Sequence, residues 1–473
     1  MELPTTVEKL LEMASNVRLG DTNREGAVVV DPRLVVLEHV TRVTAQVLPV
    51  TELILAMSGK HTHSLVDGND ALGMLPNLCL PEVGCSFYVC APHKWMFASA
   101  GTAFLWAQAK CQAHLRPLTT SYFAGGSYGK VFSYQGLLDF SVFTAFIQAY
   151  QFMQYIGGMK RMQAYCNDLA EKAVQMMQER WLTEAVAPPG EKGKYYRLPL
   201  IPLPPINGIE PTDQHAQQLM GWLYARGLTT AILVVKLDSV PTLCVRLAIQ
   251  VFHCLADFEA LAEAVCQLQT ESSTTPASLK GLEVELANPQ AIVMDHALFS
   301  LADLNSSAMF DVPRGMLRKC TFGKTMLVQH FSMNQTVLQF NSASYGQTPT
   351  IVNNARAQWE ALSHANPSCW QAARLYSQLQ RVRARVADFF VADHDGLVLT
   401  QNANTATSIV LKNIKWEPGD SILLFSVDYH ATELCTEELH ETLGLETFKV
   451  VLELPMSDAE ILKEVREVLP LHS

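Results

Sequence analysis

Residues 65–95, LVDGNDALGMLPNLCLPEVGCSFYVCAPHKW, constrain the fold more than any other stretch. A short apolar run ends in Asp67-Gly68, and a second, Cys85 to Cys90, ends in His93-Lys94-Trp95. Between them lies a connection long enough to cross from one parallel strand to the next. In an open α/β sheet the chemistry-bearing side chains sit where strands end, so this spacing brings an acid and a lysine to one rim. An aspartate beside a lysine there suits pyridoxal phosphate: the lysine forms an imine with the aldehyde, and the carboxylate keeps the ring nitrogen protonated. The competing reading is a solvated turn followed by an unrelated surface lysine, and spacing alone leaves both open.

The flanking runs extend the pattern. Leu34 to His39 reads as a buried strand, Val47 to Met57 as a helix entered at Pro49, and Leu65–Asp67, Ser86–Tyr88 and Thr102–Trp106 as further strands of a parallel α/β sheet. A glycine-bearing loop, Pro117 to Asp139, then leads into helical periodicity from Ser141 to Arg180. Between Arg197 and Gln269 the pattern is that of a smaller domain: helix about 213–226, strands at Ala231–Leu237 and Leu243–Ile249, helix Asp257–Gln269. The 270–321 stretch, beginning TESSTTPASLKG, reads as a linker. From Phe322 order resumes, with a strand-like run Thr336–Phe340, helices at Ile351–Leu362 and Cys369–Phe390, and strands at Leu397–Leu399 and Ser421–Phe425.

A net charge of -11 without a basic run argues against nucleic acid as a partner. The eleven cysteines show neither CxxC nor zinc spacing, which suits buried thiols in a reducing compartment. The acidic amphipathic start lacks the features of a signal peptide, and no apolar run reaches about 18 residues. A cytoplasmic protein without a membrane partner is therefore expected. Glu2-Leu3-Pro4 followed by a helical Val7–Val17 aligns with Glu453-Leu454-Pro455 followed by Asp458–Val468, which reads either as one segment standing at both ends of the chain or as a chance match of a common pattern.

With these residues in order, the chain resembles the class V aminotransferases, in the isopenicillin N epimerase-like branch. Residues 31–108 (LVVLEHVT, LPVTEL, LVDG, PHKW, GTAFLW) resemble the second part of that family's cofactor domain. Residues 115–268, with QGLLDFS and VRLAIQVFHCLADFEALAEAV, resemble its small domain. Residues 322–468, with FNSASYG, FFVADHDGLVLTQNANTATSIV and SILLFSVDYHATE, resemble its beginning. The resemblance implies a fold-type-I α/β architecture, a mainly parallel sheet between helices plus a smaller α+β domain, with the family's order circularly permuted. It divides the chain into 1–115 and 322–473 (the two parts of the large domain), 116–269 (small domain) and 270–321 (linker). A true permutation, a fragment of a tandem array and a gene-model artefact all give this order. Permutation is tolerated where termini fall at exposed sites.

The resemblance also implies roles. Lys94 carries the cofactor imine and moves the Cα proton of an α-amino acid, and Asp67 faces the ring nitrogen. Ala403, Asn404 and Thr405, opening a helix, hold the phosphate with His93. Tyr429 stacks on the ring, with His430 the alternative if the register slips by one. Arg246 binds the substrate carboxylate by a planar fork, with Asn341 nearby. Each has an ordinary counterpart: a plain N-cap at 402–405, a core histidine at 93, packing at 429. Several positions depart from the family: Asp70 stands where histidine is usual, which puts a second carboxylate near the O3′ region of the cofactor, Asn404 for threonine, Ser342 and Ala343 for histidine and glycine, and Leu137 for a threonine that reaches the partner subunit's phosphate. The expected protein is a homodimeric enzyme acting on an amino acid, of carbon–sulfur lyase (desulfhydrase), aminotransferase or epimerase type, with the first slightly favoured. The alternative is a catalytically impaired relative, or tandem-array fragment, kept for binding or assembly.

Overall fold

The computed structural model describes residues 32–57, 59, 61–187, 197–272 and 320–468. The strands in chain order are β1 (Leu34–Glu38), β2 (His63–Asp67), β3 (Phe87–Cys90), β4 (Ala103–Ala107), β5 (Leu200–Pro202), β6 (Leu228–Thr229), β7 (Ala231–Leu237), β8 (Val240–Arg246), β9 (Leu338–Gln339), β10 (Leu397–Thr400), β11 (Ser421–Phe425) and β12 (Glu446–Val450). Two compact units result. The first draws on 32–146 and 368–468, the second on 147–186, 197–272 and 320–367. The stretches 116–146 and 322–367 thus lie in the first and second unit respectively.

The first unit is built on a sheet of order β10-β4-β3-β2-β1-β11-β12. Its strands β1, β10 and β11 are buried along their whole length, as expected where helices cover both faces of a parallel sheet. Burying each such leucine or valine contributes about 1.5–3 kcal/mol. Strands far apart in sequence meet inside the sheet: β1 pairs in parallel with β11, Leu34 opposite Ile422. Residues 32–107 and 397–450 therefore share one sheet and one core, which includes Val36, Val89, Leu105, Ile409 and Leu424.

One strand departs from the expected parallel pattern. β4 runs antiparallel to both β3 and β10. The connection from Cys90 to Ala103 holds turns and no helix, so the chain returns beside β3 instead of crossing over. β12, paired in parallel with β11, is an added edge strand that sequence periodicity did not mark. The 141–180 region forms three helices, Ser141–Thr144, Phe146–Tyr155 and Gly158–Trp181. Gly157 and Gly158, both at positive φ, separate the last two.

The second unit holds an antiparallel sheet β5-β8-β7 and the short parallel pair β6-β9, in which Leu228 lies opposite Leu338. The β8 strand begins three residues before the expected position and ends at Arg246. The stretch 7–17, expected to be helical, and most of the expected 270–321 linker lie outside the described residues. Among the described residues no helix is long and apolar enough to cross a membrane. All eleven cysteines are free thiols, most of them buried.

Candidate functional site

Sheet register places the site. Glu38 lies opposite Asp67, Asp67 opposite Val89, Cys90 opposite Phe104, and Ala103 opposite Thr400. The ends of β1, β2, β3 and β10 therefore share one rim with the start of β4. From that rim emerge Asp67, the His93-Lys94 turn and the helix Ala403–Asn413, which packs on β2, β3, β4 and β10.

Asp67 is held at the end of β2 by its own turn. The Asn69 amide donates to its Oδ1 at 2.8 Å, and the Gly68 amide donates to the Val89 carbonyl at 2.8 Å. Desolvation raises the Asp67 carboxyl above its usual range, opposed by the Asn69 amide and the Lys94 charge. Gly68 is required by packing: a Cβ there would sit 2.1 Å from the ring of Tyr88. That buried ring in turn pairs its hydroxyl with His39 Nδ1 at 3.0 Å.

Lys94 reaches a different carboxylate. Its Nζ lies 3.0 Å from Asp70 Oδ2 and 3.2 Å from Oδ1, and the Trp95 indole donates to Oδ1 at 2.9 Å. Asp70 is 3% exposed and the Lys94 side chain 14%, so this is a largely buried, charge-assisted pair. His93, beside it, is held neutral, its pKa lowered to about 4 by burial and then by the Lys94 charge. Its Nδ1 is buried with no hydrogen-bond partner among the described residues, a polar atom that a ligand at this rim would satisfy.

The helix start at 402–405 is capped by its own chain. Asn402 Oδ1 accepts from the Thr405 amide at 2.8 Å, which removes that donor from any anion and leaves the Ala403 and Asn404 amides with the Thr405 hydroxyl. Tyr429 caps the helix His430–Leu443 and is 36% exposed, with the Arg42 guanidinium 4.7 Å over its ring. His430 is tied to Glu433 of its own helix at 3.0 Å.

Sequence reasoning passed over two buried acids. Asp428 Oδ1 accepts from the Glu38 amide at 3.2 Å and Oδ2 from the Phe425 amide at 2.8 Å. Burial pushes its carboxyl up to about 8 and raises Glu38 well above the carboxylate range. Arg42 serves both neighbours, donating to Glu38 Oε1 at 2.9 Å and to the Asp428 carbonyl at 3.2 Å. The signal lay beside residues already singled out: Glu38 ends the LVVLEH strand, and Asp428 precedes Tyr429.

In the second unit Arg246 ends β8 and donates from Nη2 to Asn341 Oδ1 and to Ser344 Oγ, each at 3.3 Å. Ser344 Oγ also donates to Asn341 Oδ1 at 2.8 Å. Arg246 and Asn341, far apart in sequence, thus meet. Ser342 is fully buried and its hydroxyl has no partner among the described residues.

The donor set at the first unit's rim fits pyridoxal phosphate: a lysine amine, a desolvated carboxylate at a strand end, an orphaned buried imidazole nitrogen and a helix N-terminus. Comparison with known proteins gives the same direction. A model of the family described as Aminotransferase class-V matches residues 9–194 and 338–464. L-cysteine desulfhydrase-like protein lolT2 of Epichloe uncinata is 29% identical over 147 residues, 31% of this chain and 32% of that protein. L-cysteine desulfhydrase of Arabidopsis thaliana is 24% identical over 290 residues, 58% of this chain and 62% of that protein. Isopenicillin N epimerase of Streptomyces clavuligerus is 37% identical over 73 residues, 15% of this chain and 18% of that protein. These matches span less than two thirds of each relative's length. Among solved structures, the cystine C-S lyase C-DES with its product cysteine persulfide aligns at TM-score 0.39 and 18% identity, covering 54% of this chain and 64% of that one.

Proposed function

The chain belongs to the class-V aminotransferase family, and from that membership we propose that it is a pyridoxal-phosphate enzyme acting on an α-amino acid. The observation that carries this reading is the convergence of Lys94, Asp67 and His93 at the rim where the parallel strands end. Bound there, pyridoxal phosphate supplies the electron sink that lets an amino acid release its Cα proton. Lys94 provides the amine that holds the cofactor and then moves that proton. Asp67 keeps a positive charge on the ring nitrogen. His93, the Ala403 and Asn404 amides and the Thr405 hydroxyl hold the phosphate, and Tyr429 covers the ring. Arg246 takes the substrate carboxylate through its guanidinium fork, supported by Asn341.

Among the reactions open to this family we favour carbon–sulfur cleavage of a cysteine-like substrate over transamination or epimerisation. The named relatives that support it are L-cysteine desulfhydrases and a hercynylcysteine sulfoxide lyase of Schizosaccharomyces pombe. We further propose a cytoplasmic homodimer whose order of parts is permuted, residues 322–468 standing for the family's beginning. The pairing of β1 with β11 in one sheet supports that order.

One observation favours a second reading, a relative without turnover: the Lys94 amine already has a carboxylate partner in Asp70. Titrating the purified protein with pyridoxal phosphate separates the two. The enzyme reading expects a visible absorption band from lysine-bound cofactor, lost in Lys94→Ala, followed by sulfide, keto acid or racemised product in an amino-acid screen. A protein that stays colourless at saturating cofactor overturns it.

A further inference from the structure

We propose that the first unit carries a binding site for a small monocarboxylate with an apolar body, organised by Arg383 in a cavity beside β10. The cavity, ≈ 260 Å³, lies between β10, the helices Leu375–Phe389 and Ala403–Asn413, and the segment 118–143. Lys94, Asp67, Asp70 and His93 do not line it; Thr405 does. The proposal does not depend on the reading of Lys94.

Arg383 is 9% exposed. Its Nε donates to the Leu397 carbonyl at 2.7 Å and its Nη2 to the His394 carbonyl at 2.8 Å. These bonds fix the guanidinium in place without neutralising it. The acid paired with it, Asp395, is 3.8 Å away and 93% exposed, so its attraction is largely screened by water. Nη1 has no acceptor among the described residues. A largely buried guanidinium with one unused edge is a standing hydrogen-bond donor to an anion. Burial also lowers the Arg383 pKa, a cost to the charged form that a bound carboxylate would offset.

The surroundings are shaped for this group. A Cβ at Gly129 would lie 2.2 Å from Nη1 and 2.4 Å from Cζ, so only glycine lets the guanidinium lie across that helix turn. Phe132, Phe140, Phe143, Leu379 and Ile409 form apolar walls, and the Gln380 and Gln401 amides add neutral polar groups. One free guanidinium edge with two amides suits a singly charged carboxylate better than a phosphate dianion. The aromatic walls call for a ring or branched alkyl body. The volume, ≈ 260 Å³, lies just below the usual range of ligand pockets (roughly 300–1,000 Å³), which limits that body to about one ring.

The test uses phenylacetate as probe and phenylacetamide as its neutral counterpart, titrated calorimetrically into the full-length protein with and without saturating pyridoxal phosphate. Saturable phenylacetate binding is expected, with phenylacetamide at least roughly tenfold weaker. Arg383→Lys is expected to weaken phenylacetate by a similar factor. Should Arg383→Lys fail to fold, Leu138→Phe, which fills the cavity from its loop wall and leaves the guanidinium alone, is expected to abolish binding. Equal affinity for acid and amide, no saturable binding, or full binding by folded Leu138→Phe overturns the proposal. So does loss of phenylacetate binding on adding pyridoxal phosphate, which would make the cavity part of the cofactor's own site through Thr405. A colourless protein that still binds phenylacetate would sink the enzyme reading and leave this site standing.

Discussion

The Lys94 amine lies 3.0 Å from Asp70 Oδ2, while Asp67, the acid that the resemblance pairs with it, acts on it only through space. Asp70 also receives the Trp95 indole at 2.9 Å, and the Trp95 side chain is fully buried. Asp70→Ala therefore removes the carboxylate that a buried indole N–H and the Lys94 ammonium share. It is expected to destabilise the first unit by about 1–3 kcal/mol in chemical denaturation. Asp70→Asn, which keeps an acceptor for Trp95, is expected to lose less. Equal losses would mean that the indole bond contributes nothing.

Gly68 gives a steric prediction. With its Cβ position 2.1 Å from the Tyr88 ring, Gly68→Ala must displace a buried aromatic that also bonds His39. A cost of about 1–3 kcal/mol is expected. Tyr88→Leu in the same chain should recover part of it, so the double-mutant cycle shows a clear coupling. Additive losses would show that the ring is free to move aside.

These two residues also show what the sequence carried. Asp67-Gly68 and His93-Lys94 were legible because apolar runs mark strand ends, and in parallel sheets strand ends gather on one rim. The reversal of β4 was not legible as strand periodicity, because an antiparallel strand buried on both faces has the same apolar run as a parallel one. Asp70 was seen as a departure, but its bond to Lys94 depends on the turn at 91–95, which no periodicity encodes. Glu38 and Asp428 were missed for a related reason. Each looks like a solvated acid next to a strand, and only the β1–β11 pairing buries them side by side.

Arg42 is the cation that this pair relies on. It binds Glu38 Oε1 at 2.9 Å and stacks on Tyr429. Arg42→Met removes the charge that opposes the rise of the Glu38 pKa, so the buried carboxyl keeps its proton, and the bonds to Glu38 Oε1 and the Asp428 carbonyl are lost. Because Arg42 is itself about a third exposed, a loss on the order of 2 kcal/mol is expected. Glu38→Gln should cost less in the Arg42→Met background than in the wild type, since the bond that it weakens is then already gone. If it does not, the contact with Tyr429 carries the effect.

Asp428 predicts a pH dependence with a definite sign. Its folded-state pKa of about 8 stands above the ordinary carboxylate value of 3.8, so the folded state binds the proton more tightly. The stability tied to that proton is fully present below about pH 4 and is lost as pH rises through about 8. His39 and His93, both lowered to about 4 by burial, act in the opposite sense between about pH 4 and 6.5. The Asp428 contribution is isolated by subtraction: the stability of Asp428→Asn relative to the wild type should climb with pH from about 4 and level off above about 8. A flat difference across that range would show that Asp428 is ionised in the fold at neutral pH.

The helix start at Asn402 separates a structural role from a binding role. Its side chain caps the helix through the Thr405 amide at 2.8 Å, and Asn402→Ala is expected to cost about 1 kcal/mol of stability. The same change releases the Thr405 amide at the end of the helix that the family reading assigns to phosphate. If the cap serves stability alone, inorganic phosphate should bind the variant at least as well as the wild type, because one more donor is available at the positive end of the helix dipole. If Asn402 orients the Ala403 and Asn404 amides, phosphate affinity should fall together with stability, and Asn402→Asp, which keeps the cap but adds a negative charge, should bind phosphate worse than either. Thermal denaturation and phosphate titration on the three proteins distinguish these outcomes. The first is expected, because the amides of a helix are aimed by the helix axis and need no cap to point outward.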